Sequence, residues 1–459
     1  MAVKTLTISE IAAAVGGELR CADTSLREVE IQAVFTDTRF PMQHGLFIAL
    51  RGERFDGHDF IKDLEHTSAA AVLSEEAIST PLPLILVKNT GKALLDLASY
   101  YRSLFSIPVI ALSGSVGKTT TKEMLSCVVG ERFRTLKTAG NLNNEIGMPM
   151  TLLRMESFHE AAVIEMGMNH FGEISRLSKC AKPTMALITN IGVSHIEYLG
   201  SRENILKAKL EILEGTQQGA PVILNGDDDL LSTAGITGFQ TIYFGIHNPS
   251  SQVRACHIVE ENGHTSFLAD IFGTRQEITL PTVGIHNVYN ALAACAVGSL
   301  LEIPPEKIAS ALKSYVPAGM RQRMKQIGGV QVVEDCYNAS PDSVKAAINV
   351  LSSMRGGKKI AVLGDMLELG DYSKTAHGLS GDYAAKAKVD LIFTYGERSK
   401  ETAKAAMAGG VKRVYSFTDG ETLAEMLAET VEDGDAVLFK ASRGMQLENV
   451  MNKFYELLK

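Results

Sequence analysis

The stretch IPVIALSGSVGKTTTKEML, Ile107 to Leu125, constrains the chain more than any other. An apolar run enters a small glycine-containing turn and leaves it as a helix. That order suits a buried strand delivering backbone N–H groups and a helix N-terminus to an anion. A lysine at the turn reaches β/γ phosphate oxygens, and the first helical threonine can hold Mg²⁺. Gly114, Ser115, Val116, Gly117, Lys118, Thr119 and Thr120 are therefore expected to cradle ATP phosphates. The longer G-x-x-x-x-G-K-[ST] spacing is broken, because Leu112 stands where its first glycine would. A plain strand-to-helix turn with an incidental lysine is the alternative, and both flanking elements argue against it.

The surrounding chain repeats the alternation. Apolar runs at 107–112, 161–164, 184–188 and 221–224 are separated by helical spacing, which predicts a mostly parallel, helix-covered sheet. A further helix, NVYNALAACAVGSLL, follows Gly284. Upstream, short strands and helices end in the amphipathic ALLDLASYYRSLF. Downstream, SYVPAGMRQR reads as a hinge centred on Val316–Gly319, and KIAVLGDM, DLIFTYG and DAVLFKAS are three more strand-then-turn signals. At 459 residues more than one core is required. The expectation is α/β with three domains. Residues 1–105 form a smaller N-terminal α/β domain, 106–315 a central P-loop domain with a mostly parallel sheet, and 316–459 a Rossmann-like C-terminal domain.

A net charge of −8 argues against broad nucleic-acid or anionic-membrane binding. Cys21, Cys127, Cys180, Cys256, Cys295 and Cys336 lie far apart without a C-x-x-C pair, which excludes metal knuckles and a disulfide framework. With no signal-peptide plan at the N-terminus and no apolar run of about 18 residues, a cytoplasmic protein without a membrane span is expected.

Two more strand ends carry polar groups. Glu165 closes the run in AAVIEMGMNHFGEI, and His195 follows the run in MALITNIGVSHIEYLG. Both fall at carboxyl ends of strands, the edge where parallel sheets bind ligands, and together they could hold Mg²⁺ against a triphosphate. In SRENILKAKLEIL, Ile205, Leu206, Leu210, Ile212 and Leu213 form a buried stripe, and helix physics alone makes Lys209 a snorkelling flank residue. NGDDD, Asn225 to Asp229, reads as an acidic turn.

SGSVGKTT, GNLNNEIG, EMGMNHFGE, NIGVSHIE, KAKLEI, GIHNVYNALAA, EDCYNASP and LGDMLELG occur in this order. With them the chain resembles the Mur ligases, the ATP-dependent amide-forming enzymes of peptidoglycan precursor synthesis. The likeness runs from about residue 33 almost to the end. The family uses the shorter G-x-x-G-K-T-T turn, which removes the spacing objection. TAGNLNNEIGMP and DCYNASP look like the variants of the member that adds a dipeptide. The D-N-P-R element typical of the member adding the third amino acid is not found. Implied substrates are UDP-N-acetylmuramoyl-tripeptide (UDP-MurNAc-tripeptide), D-alanyl-D-alanine and ATP, handled by a monomer. A folylpolyglutamate-type or other ligase of the same chemistry with a single amino acid as acceptor is the rival reading.

Carried over by position, the resemblance implies catalytic roles for Lys118, Lys209, His195 and Arg321. Thr119, Glu165, His195 and Lys209 would place one or two Mg²⁺ ions, with Lys209 carbamylated into a carboxylate-like ligand. Asn287 and Asn290 would face adenine; without the family they read as a helix N-cap and a helix-surface residue. Arg321 would meet the γ-phosphate, with Arg323 close enough to leave the register open, and Asp335 would join the nucleotide site. Asn141, Asn144, Tyr337 and Asn338 would contact substrate from the central and third domains. Ser340 stands where a second asparagine is common. Thr38 and Arg39, in VFTDTRFPMQHGLFIALRGERFDGHDFI, would serve the uridine-nucleotide region, with Thr36-Asp37-Thr38-Arg39 replacing the more usual D-S-R.

Overall fold

Alternating apolar runs and helices resolve into three main sheets and a small two-stranded one, Leu6–Thr7 with Glu30–Ile31, in the computed structural model, which describes residues 4–52, 55–261, 263–317 and 319–458. In the central sheet, Gln240–Gly245, Pro221–Asn225, Met185–Ile188, Val109–Ser113, Ala161–Glu165 and Thr135–Lys137 lie side by side in that order, all parallel. The four predicted apolar runs are four of these strands. Their β-branched and aliphatic residues are buried on both faces, as a helix-covered parallel sheet demands. Three further strands, Val253–Glu261, His264–Ile271 and Thr274–Leu280, extend the sheet, the last two pairings antiparallel. They were not anticipated, because half of their positions are polar and face outward.

The N-terminal sheet has five strands, four of them in parallel pairings, and Glu18–Arg20 antiparallel at one edge. The C-terminal sheet has six: Arg323–Ile327 pairs antiparallel with Val330–Glu334, and the other four run parallel. The three-domain α/β architecture is therefore present.

Packing shows how the units are joined. One apolar cluster contains Leu46, Ile48 and Leu73 of the N-terminal sheet together with Val109, Ala111 and Ile164 of the central sheet. Burying such side chains stabilises by roughly 1.5–3 kcal/mol each, so these two units are held as one body. The C-terminal sheet has its own clusters on its two faces, around Val332, Phe393 and Phe439 and around Ile348, Ala361 and Leu438. Ile196 of the central unit packs against the second of these. Polar links join the two units too, among them Asn287 with Gln322 and His195 with Glu368.

Between the helix Pro305–Lys313 and the strand beginning at Arg323 runs the expected hinge segment. Val316 is 77% exposed there, and Ala318 lies outside the described residues. Among the described residues no helix is long and apolar enough to cross a membrane.

Candidate active site

Strand Val109–Ser113 ends at the turn, and helix Lys118–Gly130 begins it anew. Gly117 has φ 82°, and a Cβ there would stand 2.8 Å from Asn290 Oδ1. Only glycine meets both conditions without strain. Gly117→Ala is accordingly expected to weaken ATP binding about tenfold or more, since left-handed strain alone costs about 1–3 kcal/mol. Titration calorimetry with ADP checks this.

Lys118 Nζ donates to Gly114 O at 2.9 Å and lies 3.4 Å from Ser115 O. Burial pushes its pKa down; Glu165 opposes that shift and Arg321 adds to it. Thr119 Oγ1 donates to Glu165 Oε1 at 3.2 Å, and Asn143 Nδ2 donates to the same oxygen at 2.7 Å. Glu165 Oε2 is buried with no hydrogen-bond partner and lies 3.7 Å from Lys122 Nζ.

His195 sits beyond the strand Met185–Ile188 with φ 64°. Its Nδ1 is 2.9 Å from Glu368 Oε2 of the C-terminal domain, a pairing that is ionic only when the imidazole is protonated. Burial pushes the imidazole pKa down despite that carboxylate. His195 in turn holds the Glu368 carboxyl below its usual range.

The snorkelling reading of Lys209 is corrected. Along helix Arg202–Leu210 and the 3-10 turn Glu211–Glu214, Ile205, Ala208, Lys209 and Ile212 form the inward side, at i, i+3, i+4 and i+7, while Leu206, Leu210 and Leu213 are half-buried. Lys209 does not snorkel. It is 2% exposed. Burial, then the Lys118 charge, drives its pKa well below the ordinary lysine value.

Asn287 and Asn290 are also corrected: neither is a cap or a surface residue. They are 2% and 6% exposed within helix Ile285–Leu300. Asn290 Oδ1 accepts from Thr121 Oγ1 at 3.0 Å, and Asn287 Nδ2 donates to Val283 O at 2.9 Å.

Arg321 lies 3.9 Å from the ring centre of Tyr337, a cation–π approach. Arg323 points elsewhere, its side chain 58% exposed and 3.9 Å from Glu334. Asp335 pairs with buried Lys440 at 2.9 Å, and the same ammonium donates to Asn338 O at 2.8 Å. Asn144 Oδ1 accepts from Gly147 N at 2.8 Å, which fixes the loop carrying Asn141.

A cavity of about 970 Å³ between the central and C-terminal domains gathers most of these groups. Residues 115–120, Asn141, Asn144, Glu165, His195, Asn287, Asn290, Arg321, Asp335, Tyr337 and Asn338 are on its wall. Gly114, Lys209, Thr38 and Arg39 are not. Arg39 sits on the N-terminal domain, 81% exposed, with Nη2 2.6 Å from Asp37 Oδ2; that pairing lowers the Asp37 pKa to about 2.

Sequence reasoning gave no role to Asn143, Lys122, Glu368, Gln322 or the aspartates of NGDDD. Lys122 carried a signal: it falls on the apolar stripe with Leu125 and Val129, where a lysine needs a buried partner, and it donates to Gly140 O at 3.0 Å. Asp227 Oδ2 accepts from Tyr289 Oη at 2.8 Å, and Asp228 Oδ2 from Ile191 N at 2.7 Å, so the acidic turn braces the cavity wall.

Metal placement has a physical test. Among the described residues no three His, Cys, Asp or Glu side chains converge on one point. Mg²⁺ commonly takes one or two carboxylates and completes its shell with phosphate oxygens and water. Thr119 Oγ1 beside an orphaned Glu165 oxygen at the phosphate turn fits that pattern.

A parallel sheet with a phosphate turn at its carboxyl edge, faced across a cavity by a second α/β domain carrying an arginine, defines a nucleotide-dependent enzyme. Sequence comparison agrees: the Mur ligase middle domain matches residues 112–298, the Mur ligase glutamate ligase domain 320–443, and the Mur ligase catalytic domain 30–102. The chain belongs to the Mur ligase family. It is 42% identical to the UDP-N-acetylmuramoyl-tripeptide–D-alanyl-D-alanine ligase of Bacillus subtilis (strain 168), over 98% of both chains. The enzyme of the same name from Escherichia coli (strain K12) is 34% identical over 98% of this chain and 99% of its own. MurF from Acinetobacter baumannii superposes with a TM-score of 0.92, at 32% identity, over 99% of this chain and 100% of its own. MurF ligase from Thermotoga maritima in complex with ADP gives 0.85 at 29% identity, over 95% and 99%.

Proposed function

We propose that this chain is an ATP-dependent ligase that joins D-alanyl-D-alanine to the terminal carboxylate of UDP-MurNAc-tripeptide in peptidoglycan precursor synthesis. It acts in the cytoplasm, as a monomer. One observation carries the chemistry: Lys118, Thr119, Glu165 and Arg321, from two domains, face a single cavity. The substrate pair comes from the near full-length likeness to the curated relatives.

A carboxylate does not acylate an amine at neutral pH, because its oxygen is a poor leaving group. Transfer of the γ-phosphoryl group onto it gives an acyl phosphate and ADP, and attack by the dipeptide amine then expels phosphate. Carboxylate and γ-phosphate are both anions, so the protein's task is alignment and charge neutralisation. Backbone N–H groups of 115–119 hold the phosphates, Lys118 and Arg321 supply cationic charge from opposite walls, and Asn287 presents its amide to adenine. Asn141, Asn144, Tyr337 and Asn338 orient the peptide end, while Arg39 and Thr38 on the N-terminal domain hold the uridine nucleotide.

Thr119, Glu165 and His195 are the residues that would hold Mg²⁺, with Lys209 contributing as a carbamate. Such an ion supplies charge stabilisation at the transferring phosphoryl group. A lysine must be neutral to take up CO₂, and the burial of Lys209 favours that form. The C-terminal domain, joined partly through polar contacts, closes over the cavity and excludes water from the acyl phosphate.

Phosphate release is expected to require UDP-MurNAc-tripeptide and to rise at least about tenfold with D-alanyl-D-alanine over any single amino acid, as for a site that hydrogen-bonds its proper acceptor. Equal stimulation by single amino acids, or hydrolysis indifferent to any amine, would overturn the assignment.

A further inference from the structure

Gln322, beside Arg321 in the linker, holds φ 51°, a left-handed conformation costly for a residue with a Cβ. Its side-chain oxygen accepts from Asn287 Nδ2 at 2.9 Å and lies 3.0 Å from His286 Nε2. A carbonyl oxygen has no hydrogen to give, so His286 is the donor and its tautomer is fixed with the proton on Nε2. The orientation of Asn287 is set independently, since its Nδ2 also donates to the backbone oxygen of Val283.

These contacts continue inward. Asn287 Oδ1 accepts from Asn290 Nδ2 at 3.3 Å, and Asn290 Oδ1 accepts from Thr121 of the helix that follows the phosphate turn. The same Asn290 oxygen sits under Gly117. A polar relay thus runs from the turn, through both asparagines, to the residue bonded to Arg321. On its other side Arg321 stacks on Tyr337.

We infer that Gln322 is a positioning residue: its oxygen ties the linker to the first turn of helix Ile285–Leu300 and so sets Arg321 against the phosphate turn. This rests on the ligase reading above. The tie couples occupancy of the nucleotide turn to the placement of the C-terminal arginine without itself touching a phosphate.

Three substitutions test it. Gln322→Leu removes the acceptor, Gln322→Gly removes it while relieving the backbone, and Gln322→Glu keeps an oxygen. The leucine and glycine variants should ligate at least about tenfold more slowly, mainly in kcat, with ADP affinity within about threefold of wild type. The glutamate variant should stay within about threefold. His286→Phe should slow ligation too, and adding it to Gln322→Leu should bring no further loss, as for two partners of one contact. A fully active glycine variant, or independent multiplication of the two effects, would overturn the proposal.

Hydrogen exchange gives a readout that needs no ligation. ADP should slow amide exchange across 319–324 in wild type and leave it unchanged in Gln322→Leu. Equal protection in both proteins refutes the tie. A wild-type protein that shows this protection yet joins no dipeptide refutes the ligase reading alone.

Discussion

Lys118→Ala is expected to abolish ADP formation, by about 10²–10³-fold or more, while leaving the melting temperature unchanged or slightly raised. The rate effect follows from position. Lys118 opens the helix after the turn, and its ammonium reaches only carbonyls of that same turn, Gly114 and Ser115. The other lysines on the cavity wall among the described residues, Lys345 and Lys440, belong to the C-terminal domain, so a neutral residue at 118 leaves the phosphate turn without its own cation. Stability responds in the opposite sense. Burial depresses the folded-state pKa of Lys118, so the unfolded chain binds this proton more tightly and the charged form disfavours folding. Removing the amine removes that penalty. Coupled ADP detection and a thermal melt on the same preparation check both halves. Turnover near the wild-type rate would sink the phosphate assignment, and a large fall in melting temperature would show Lys118 to be a structural residue.

The turn was legible because its chemistry is local: one strand, one turn and one helix supply all its donors, and their order survives in the sequence. Glu165 and His195 were legible for a related reason: one is a parallel strand's last residue and the other lies in the loop just past a strand end, and both mark the ligand edge of the sheet. Asn287 and Asn290 were misread without the family because their partners, Thr121 and Gln322, stand 169 and 35 positions away. Periodicity reports which side of a helix is apolar, and a buried amide breaks that pattern in the same way a solvated one does. Lys209 failed likewise: it stands four residues after Ile205 on the buried side of helix Arg202–Leu210, and spacing alone reads a lysine there as a flank residue. The union of the N-terminal and central units into one apolar cluster had no signal either, because a contact between distant apolar runs leaves no mark on their spacing.

Lys209→Ala is expected to lower ligation by about 10²-fold, with partial recovery in formate or acetate, which fit the space vacated and would stand in for the carbamate proposed above. Full activity without any added acid would remove Lys209 from metal placement. Lys209→Met separates that role from folding, because it fills the volume without the charge. In CO₂-free buffer the wild-type lysine has a folded-state pKa far below its unfolded value. The unfolded chain then binds more protons, and wild-type stability should rise with pH from the depressed folded value towards the ordinary lysine range. The methionine variant lacks this slope and should be the more stable protein below that window. Melts of the two proteins across neutral to alkaline pH, with and without bicarbonate, decide the point. If bicarbonate stabilises wild type and leaves Lys209→Met unmoved, the buried amine is the group that captures CO₂. If both proteins respond alike, the amine stays free, and its burial needs another explanation.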